Sequence, residues 1–273
     1  MITVNIIGAG KVGATFIQLI GAHPKFALGD IHSSRTNAVE ALLERHSSGR
    51  AVSTIADMRR ADLWLITVPD DQISSVADAL SNAGLPPSVA LHCSGFLSSQ
   101  ALAPLALNNW HVGSCHPVRS FADPSTAAAD FAGTYCGIEG DNAATQMANL
   151  FINELGGNPF PVTTQNKAIY HAAAVFSNNF TVVLQAIAQE AWAKAGVPAE
   201  IAKSLGDGLL HNAAVNVAQT NPQQALTGPA ARGDTNVLQQ QHAALSNWSD
   251  DIADLYAVMS KMAGRLKTGG QVT

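Results

Sequence analysis

Residues 3–13 read TVNIIGAGKVG, an apolar run that stops at Gly8 and restarts as the opening of a helix. Val4, Ile6 and Ile7 are β-branched and suit a buried strand. Gly8, Gly10 and Gly13 follow with the spacing G-x-G-x-x-G. That spacing permits a tight turn, lets the backbone approach a pyrophosphate, and lets the helix pack closely on the strand. The helix expected from Gly10 to Ala22 points its first N–H groups at the same spot. Gly8, Ala9, Gly10, Lys11, Val12 and Gly13 are therefore the candidate phosphate cradle. Small residues after a strand also make ordinary turns, so the weight rests on strand, glycines and helix agreeing.

Working outward, Phe26 to Ile31 reads as a second strand that runs into His32-Ser33-Ser34-Arg35-Thr36. In a dinucleotide fold an acid at this strand end holds the ribose 2′-hydroxyl of NAD. None lies in that loop, and Asp30 falls a few residues early. Ser33, Ser34 and Arg35 instead offer hydroxyls and a guanidinium suited to a 2′-phosphate, which selects NADP. The plainer role for Arg35 is a solvated residue at a helix start.

Asn37 to Arg45 continues as a helix, and Ala51 to Ile55 as a short strand. Ala61 to Pro69 is apolar almost throughout, as a central parallel strand should be. It ends at Pro69-Asp70-Asp71, which stops the ladder and opens the helix Gln72 to Ala83. Thr67, Val68 and Pro69 are thus expected beside the dinucleotide, with Asp70 a helix cap. Two more strands, Ser88 to His92 and Trp110 to Cys115, run into Cys93-Ser94-Gly95 and His116-Pro117. Both ends combine a histidine with small or hydroxyl residues, making Ser94, Gly95 and His116 a candidate substrate rim. A zinc site from His92, Cys93, Cys115 and His116 is disfavoured, because adjacent strand residues point to opposite faces and loop-type zinc spacings are absent. No metal is expected.

Phe131 to Ile138 and Asn158 to Val162, with the helix Asn142 to Leu155 between them, extend the sheet by one βαβ unit. The pattern changes near Thr163, giving a first domain of residues 1–163 and a second of residues 164–273 with no strand. Lys167 to Ala195 reads as one helix of nearly thirty residues, apolar on most sides and therefore expected to be buried. At 100° per residue Lys167, His171, Ala174, Asn178 and Gln185 fall on one stripe. That stripe is either a polar seam between helices or a proton donor with its orienting groups. Ala199 to Gln219, Asn236 to Asn247 and Asp250 to Leu266 are further helices, with Thr268 to Thr273 a frayed tail. Between them Leu226 to Thr235 is a turn-rich loop whose Arg232 and Asp234 can clasp an anion or a neighbouring helix.

Charged residues make up 13% of the chain and hydrophobic ones 47%, with a net charge of −5. Such a chain has no general field for nucleic acid or an anionic membrane. No secretory leader pattern and no run of about 18 apolar residues occurs, and the three cysteines are odd in number without C-x-x-C spacing. A soluble, cytoplasmic protein is expected, and the low charge points to surface buried between domains or subunits, as in a homo-oligomer.

On these residues the chain resembles the superfamily of two-domain NADP-dependent reductases that includes β-hydroxyacid dehydrogenases, ketopantoate reductase and pyrroline-5-carboxylate reductase. Within it the resemblance is to an uncharacterised bacterial branch in which a Rossmann-like domain precedes a domain of unknown function. Gly8 to Gly13, Thr67 to Ile73, His92 to Gly95, His116 to Phe121, Lys167 to Asn179 and Leu226 to Asp234 carry it. The resemblance implies a Rossmann-like doubly wound α/β sheet, followed by a smaller all-α domain of the 6-phosphogluconate dehydrogenase C-terminal type that pairs with a second subunit. It also implies an oxidoreductase acting on a small carbonyl, hydroxy-acid or imine substrate. Lys167 matches the family's proton donor, while His171 stands where β-hydroxyacid dehydrogenases have an asparagine, with Asn178 as a substitute amide. Arg232 would hold a substrate carboxylate. Two rivals are a reductase passing hydride between NADP and a deazaflavin, and a protein that senses NADP without turning anything over.

Overall fold

The computed structural model describes residues 1–273, which divide into two compact units, residues 1–175 and residues 176–273. In the first unit β1 (Ile2–Ile7), α1 (Lys11–Gly21), β2 (Phe26–His32), α2 (Thr36–Leu43), β3 (Arg50–Val52), β4 (Leu63–Ile66), α3 (Asp70–Ser81) and β5 (Val89–His92) follow in turn. Next come α4 (Ala103–Ala106), β6 (His111–Pro117), α5 (Pro124–Ala129), β7 (Tyr135–Gly140), α6 (Asn142–Glu154), β8 (Asn158–Pro161) and α7 (Lys167–Ala174). The eight strands form one sheet in the order β3-β2-β1-β4-β5-β6-β7-β8. The first six run parallel, as a doubly wound Rossmann-like sheet requires.

Apolar residues cover both faces of this sheet because its strands are apolar on both sides. Val4, Ile6, Leu63 and Leu65 face one core with Phe16 of α1 and Phe151 of α6. Ile7, Trp64 and Ile66 face the other with Ile73 of α3 and Trp110. The Phe16 and Phe151 rings lie 5.5 Å apart, and Trp64 meets Trp110 edge-on at 5.6 Å. Buried Asn5 interrupts the apolar pattern of β1. Its amide accepts from Asp30 N (2.6 Å) and donates to Arg59 O (2.7 Å), at the register shift between β1 and β2.

Four features differ from the sequence expectations. β7 pairs with β6 antiparallel, so the last βαβ unit (β7, α6, β8) is added upside down to the rest. The division of the chain falls inside the expected long helix rather than at Thr163, because Lys167 at its start is buried in the first unit. That helix is also not uniform: Val175–Asn179 winds as a π turn before α8 (Phe180–Lys194). A π turn closes i to i+5, so a 3.6-residue phase does not carry across it and the stripe from Lys167 to Gln185 is broken at Asn178.

The second unit is all helical: α8, α9 (Ala199–Gln219), α10 (Pro222–Ala225), α11 (Pro229–Arg232), α12 (Thr235–Ser246) and α13 (Asp250–Gly269). α8 packs on α9 and α12 on α13. Lys267 ties α10 to α13 by donating to Gln223 O (3.2 Å) and Leu226 O (3.1 Å), and the helix runs on through Thr268 and Gly269, with Gly270 to Thr273 of the expected tail lying beyond it. The fourth difference is burial. No residue of α8 is buried, and Phe180, Val182 and Val183 are exposed. Ile187 and Trp192 are half-buried, but nothing within the helical unit covers Phe180, Val182 and Val183. No helix is long and apolar enough to cross a membrane.

Candidate active site

The carboxyl ends of β1, β2 and β4 surround a cleft of about 530 Å³. It gathers Gly8, Ala9, Gly10, Ser33, Ser34, Arg35, Thr67, Val68 and Pro69, nine residues that three separate stretches of sequence singled out. Gly8 makes the turn: its φ is +102°, and a Cβ there would sit 2.8 Å from the Thr67 carbonyl carbon. Gly13 packs α1 on the strand, where any side chain would collide with the Gly8 carbonyl. Gly10 is different, since a Cβ there would meet nothing within 4 Å. Its bare backbone is open to the cleft. Lys11, Val12 and Gly13 are not among the lining residues: Lys11 is exposed, while Val12 and Gly13 turn towards the core. The cleft adds His32, Gln72 and Val76, which the sequence had not marked.

Asp30 is withdrawn from this cleft. It is 0% exposed, and its carboxylate accepts from Arg50 Nε (3.0 Å) and Nη2 (2.8 Å), and from Arg59 N (2.6 Å) and Nη2 (2.7 Å). Burial opposes the charge, but the two arginines win and hold the carboxyl well below the usual range. No lone pair of consequence is left for a ribose.

Beyond Pro69 the chain leads directly to a second cluster at the ends of β5 and β6. Asp70, the first residue of α3, accepts a hydrogen bond from Ser94 Oγ (2.7 Å). That hydroxyl also accepts from Phe96 N (3.1 Å) and Leu97 N (2.9 Å), so it shapes the loop after β5 from within. His92 braces the same loop. Its Nε2 donates to Ser98 O (3.0 Å) and its Nδ1 accepts from Ser94 N (3.2 Å), which fixes a neutral ring. Burial takes His92 down to about 4.

Lys167, on the first turn of α7, reaches into this cluster and is only 3% exposed. Its Nζ donates to Ser94 O and to Ser114 Oγ, both at 2.8 Å. An ammonium has three donors, so one N–H remains. Ser114 and His116 are two apart on β6 and share a face, while Cys115 between them enters the core. Glu139 lies directly across from Ser114 on β7 and is 4% exposed. Its carboxylate accepts from Ser99 N (2.5 Å), Ser99 Oγ (3.0 Å) and Thr164 Oγ1 (3.0 Å). Burial lowers the Lys167 pKa, and the Glu139 charge opposes that fall.

His116 Nδ1 lies 2.8 Å from the hydroxyl of Tyr170. Gly137, across the ladder from His116, makes this possible, because a side chain there would collide with that hydroxyl. Burial, then Lys167 and His171, take His116 down to about 4, and burial pushes Tyr170 up to about 12. His171 completes the group: its ring meets His116 at 5.6 Å, nearly perpendicular, and its Nδ1 is buried with no hydrogen-bond partner. Gly95 sits between the two imidazoles, where a Cβ would lie 2.8 Å from His116 Nε2 and would collide with His171.

Lys167, His171, Ser94, Gly95 and His116, expected at one site, thus converge. Asn178 and Arg232 belong to the helical unit: Asn178 is exposed on the π turn, and Arg232 lines a separate cleft of about 540 Å³ with Lys261 and Arg265. Ser114, Glu139 and Tyr170 were missed. A lone acid closing an otherwise apolar strand and a serine two residues before His116 were the available signals. No group of three or more His, Cys, Asp or Glu side chains gathers as metal ligands.

Residues 134–263 match the family model described as Domain of unknown function (DUF2520), a match that takes in Glu139, Lys167, Tyr170 and His171. Among solved structures, protein TM1727 from Thermotoga maritima is 24% identical over 98% of this chain and 99% of that one, with a TM-score of 0.79. The 1-pyrroline-5-carboxylate reductase of Streptococcus pyogenes is 16% identical over 95% and 98%, with a TM-score of 0.63. An imine reductase from Myxococcus stipitatus, solved with NADP⁺, is 19% identical over 98% and 95%, with a TM-score of 0.64. At these identities the likeness establishes the fold. No curated protein matches the chain.

Proposed function

We propose that this Rossmann-like chain, carrying a domain of unknown function, is an NADP-dependent oxidoreductase that moves a hydride between NADP(H) and a small carbonyl, hydroxy-acid or imine substrate. One observation carries it: a cleft with an open glycine backbone and a Ser-Ser-Arg wall, from which Asp30, the acid near the end of β2, is locked away by two arginines. The residues fit a dinucleotide. Gly8, Ala9 and Gly10 would hold the pyrophosphate, Ser33, Ser34 and Arg35 the 2′-phosphate, and Thr67, Val68 and Pro69 the nicotinamide side. Lys11, Val12 and Gly13 serve by opening α1 in the right place. When bound, the cofactor supplies or accepts the hydride.

Hydride addition to C=O or C=N leaves charge on oxygen or nitrogen, which needs a proton donor within hydrogen-bond reach. Lys167 is that donor in this proposal, because Ser94 O and Ser114 Oγ take two of its N–H groups and leave the third. Those two bonds also fix where the ammonium sits, and Glu139 supports its charge. His171 orients the substrate, and Ser94, Gly95 and His116 shape its pocket. The fold shared with a pyrroline-5-carboxylate reductase and an imine reductase makes cyclic imines the first class to test. A homodimer belongs to the same proposal: the uncovered faces of α8, with Val182 65% exposed, are the surface a second copy would bury.

Lys167→Ala should abolish turnover and leave NADPH affinity within a few-fold. Near-normal turnover by that variant would refute the donor assignment.

A further inference from the structure

The second strand ends on His32, which the hydride chemistry does not use. Its Nδ1 lies 3.2 Å from the carbonyl oxygen of Val52 on β3. A carbonyl only accepts, so Nδ1 carries the hydrogen of the neutral ring and Nε2 is left with a lone pair. The half-buried ring lines the same cleft as Ser33, Ser34 and Arg35. With Nδ1 turned to the neighbouring strand, Nε2 is the nitrogen left for the cleft. An imidazole pinned in this way has two states of opposite sense. Neutral, Nε2 accepts from a hydroxyl and opposes phosphate oxygens, which bring only lone pairs. Protonated, Nε2 donates, and the cation joins Arg35 against an anion.

We propose that His32 reads the 2′ position of the adenine ribose. Charged, it holds the 2′-phosphate of NADP(H); neutral, it accepts from the 2′-hydroxyl of NAD(H). This rests on the nucleotide assignment of the cleft made above. The charged groups on the elements around the ring are few. Arg35 stays cationic. Asp30, two residues earlier on β2, is paired with Arg50 of β3 and with Arg59. Asp57, beyond β3, accepts from Thr54 Oγ1 (2.7 Å). On α3, Gln72 and Val76 face the cleft, Asp70 is held by Ser94 and Asp71 is exposed; β1 contributes no charge. Of all these, the imidazole is the one group that can change from acceptor to donor towards the cleft while keeping its bond to Val52 O. A dianionic 2′-phosphate favours protonated His32, so NADPH binding takes up a proton and weakens as pH rises, whereas NADH binding does not.

The test is the affinity of the full chain for NADPH and for NADH, read by nicotinamide fluorescence between pH 6 and 8.5, in wild type and His32→Gln. Glutamine keeps an amide donor and acceptor but does not titrate. The phosphate's own ionisation is common to both proteins, so their difference isolates the imidazole. The wild-type preference for NADPH should fall about tenfold more steeply across that range than the variant's. Parallel slopes would overturn the role of His32 while leaving the cleft assignment standing. No binding of either nucleotide at any pH would undo the cleft assignment and His32 with it. Should the variant fail to fold, calorimetry of wild type at pH 7.5 in two buffers of different ionisation enthalpy decides. Proton uptake with NADPH but not with NADH is expected, and equal uptake for both would overturn the proposal.

Discussion

Asp30→Asn separates the structural role of the buried carboxylate from the ribose role that its position near the end of β2 invites. The carboxylate is fully buried and receives side-chain hydrogen bonds from two arginines that are themselves 47% and 65% exposed. Breaking a buried ion pair by removing one partner costs roughly 3–5 kcal/mol, and exposure of the arginines trims that to about 2–4 kcal/mol. Amide hydrogen exchange in β1 and β2 through global opening should therefore accelerate roughly 30- to 1,000-fold, at 1.36 kcal/mol per factor of ten. The pKa of Asp30 is depressed in the folded state, so its contribution is present above the unfolded value near pH 4 and is lost as pH falls towards the lower folded value. The gap between wild type and variant should thus narrow on acidification below pH 4. Nucleotide choice should not change, and the ratio of NADPH to NADH affinity should stay within about threefold. A variant of near-normal stability that gains tenfold or more for NADPH over NADH would show that Asp30 faces the ribose and refute its structural role with Arg50 and Arg59.

Three further outcomes follow from the geometry. Gly10→Ala puts a methyl into open space, so stability should stay within about 0.5 kcal/mol while NADPH affinity falls at least about tenfold; unchanged affinity would mean the nucleotide lies elsewhere. Glu139→Gln removes the anion that opposes burial of Lys167, so the alkaline limb of the kcat profile should move to lower pH, and an unmoved limb would remove Glu139 from the proton chemistry. Sedimentation of the full chain should give a dimer that Val182→Lys weakens without loss of helix content; a wild-type monomer would contradict the assignment of the open α8 faces to a second copy.

The parallel half of the sheet was legible because its signals are local. Glycines at Gly8, Gly10 and Gly13, apolar strands and polar strand ends all lie within a few residues of one another, and the cleft gathers nine of the residues they marked. The direction of β7 was not legible, because an apolar strand carries no mark of whether its neighbour runs with it or against it. The π turn at Val175–Asn179 has no proline or glycine to announce it, so helical phase placed Asn178 beside Lys167. Glu139 lies across the ladder from Ser114, and Tyr170 of α7 reaches His116 over Gly137; contacts of this kind are long-range. The apolar pattern of α8 gave its chemistry correctly and its burial incorrectly, since periodicity says that a face needs cover but not which chain supplies it.

The central claim is tested most directly by titrating the purified protein with NADPH and NADH, then following NADPH consumption across 2-oxo acids, 3-oxo acids and cyclic imines. Tight NADPH binding, weaker NADH binding and turnover on one of these classes is the predicted result. Absence of NADPH binding would contradict the account from Gly8 onward, and binding without turnover on any class, or with a deazaflavin as the only acceptor, would contradict the role given to Lys167.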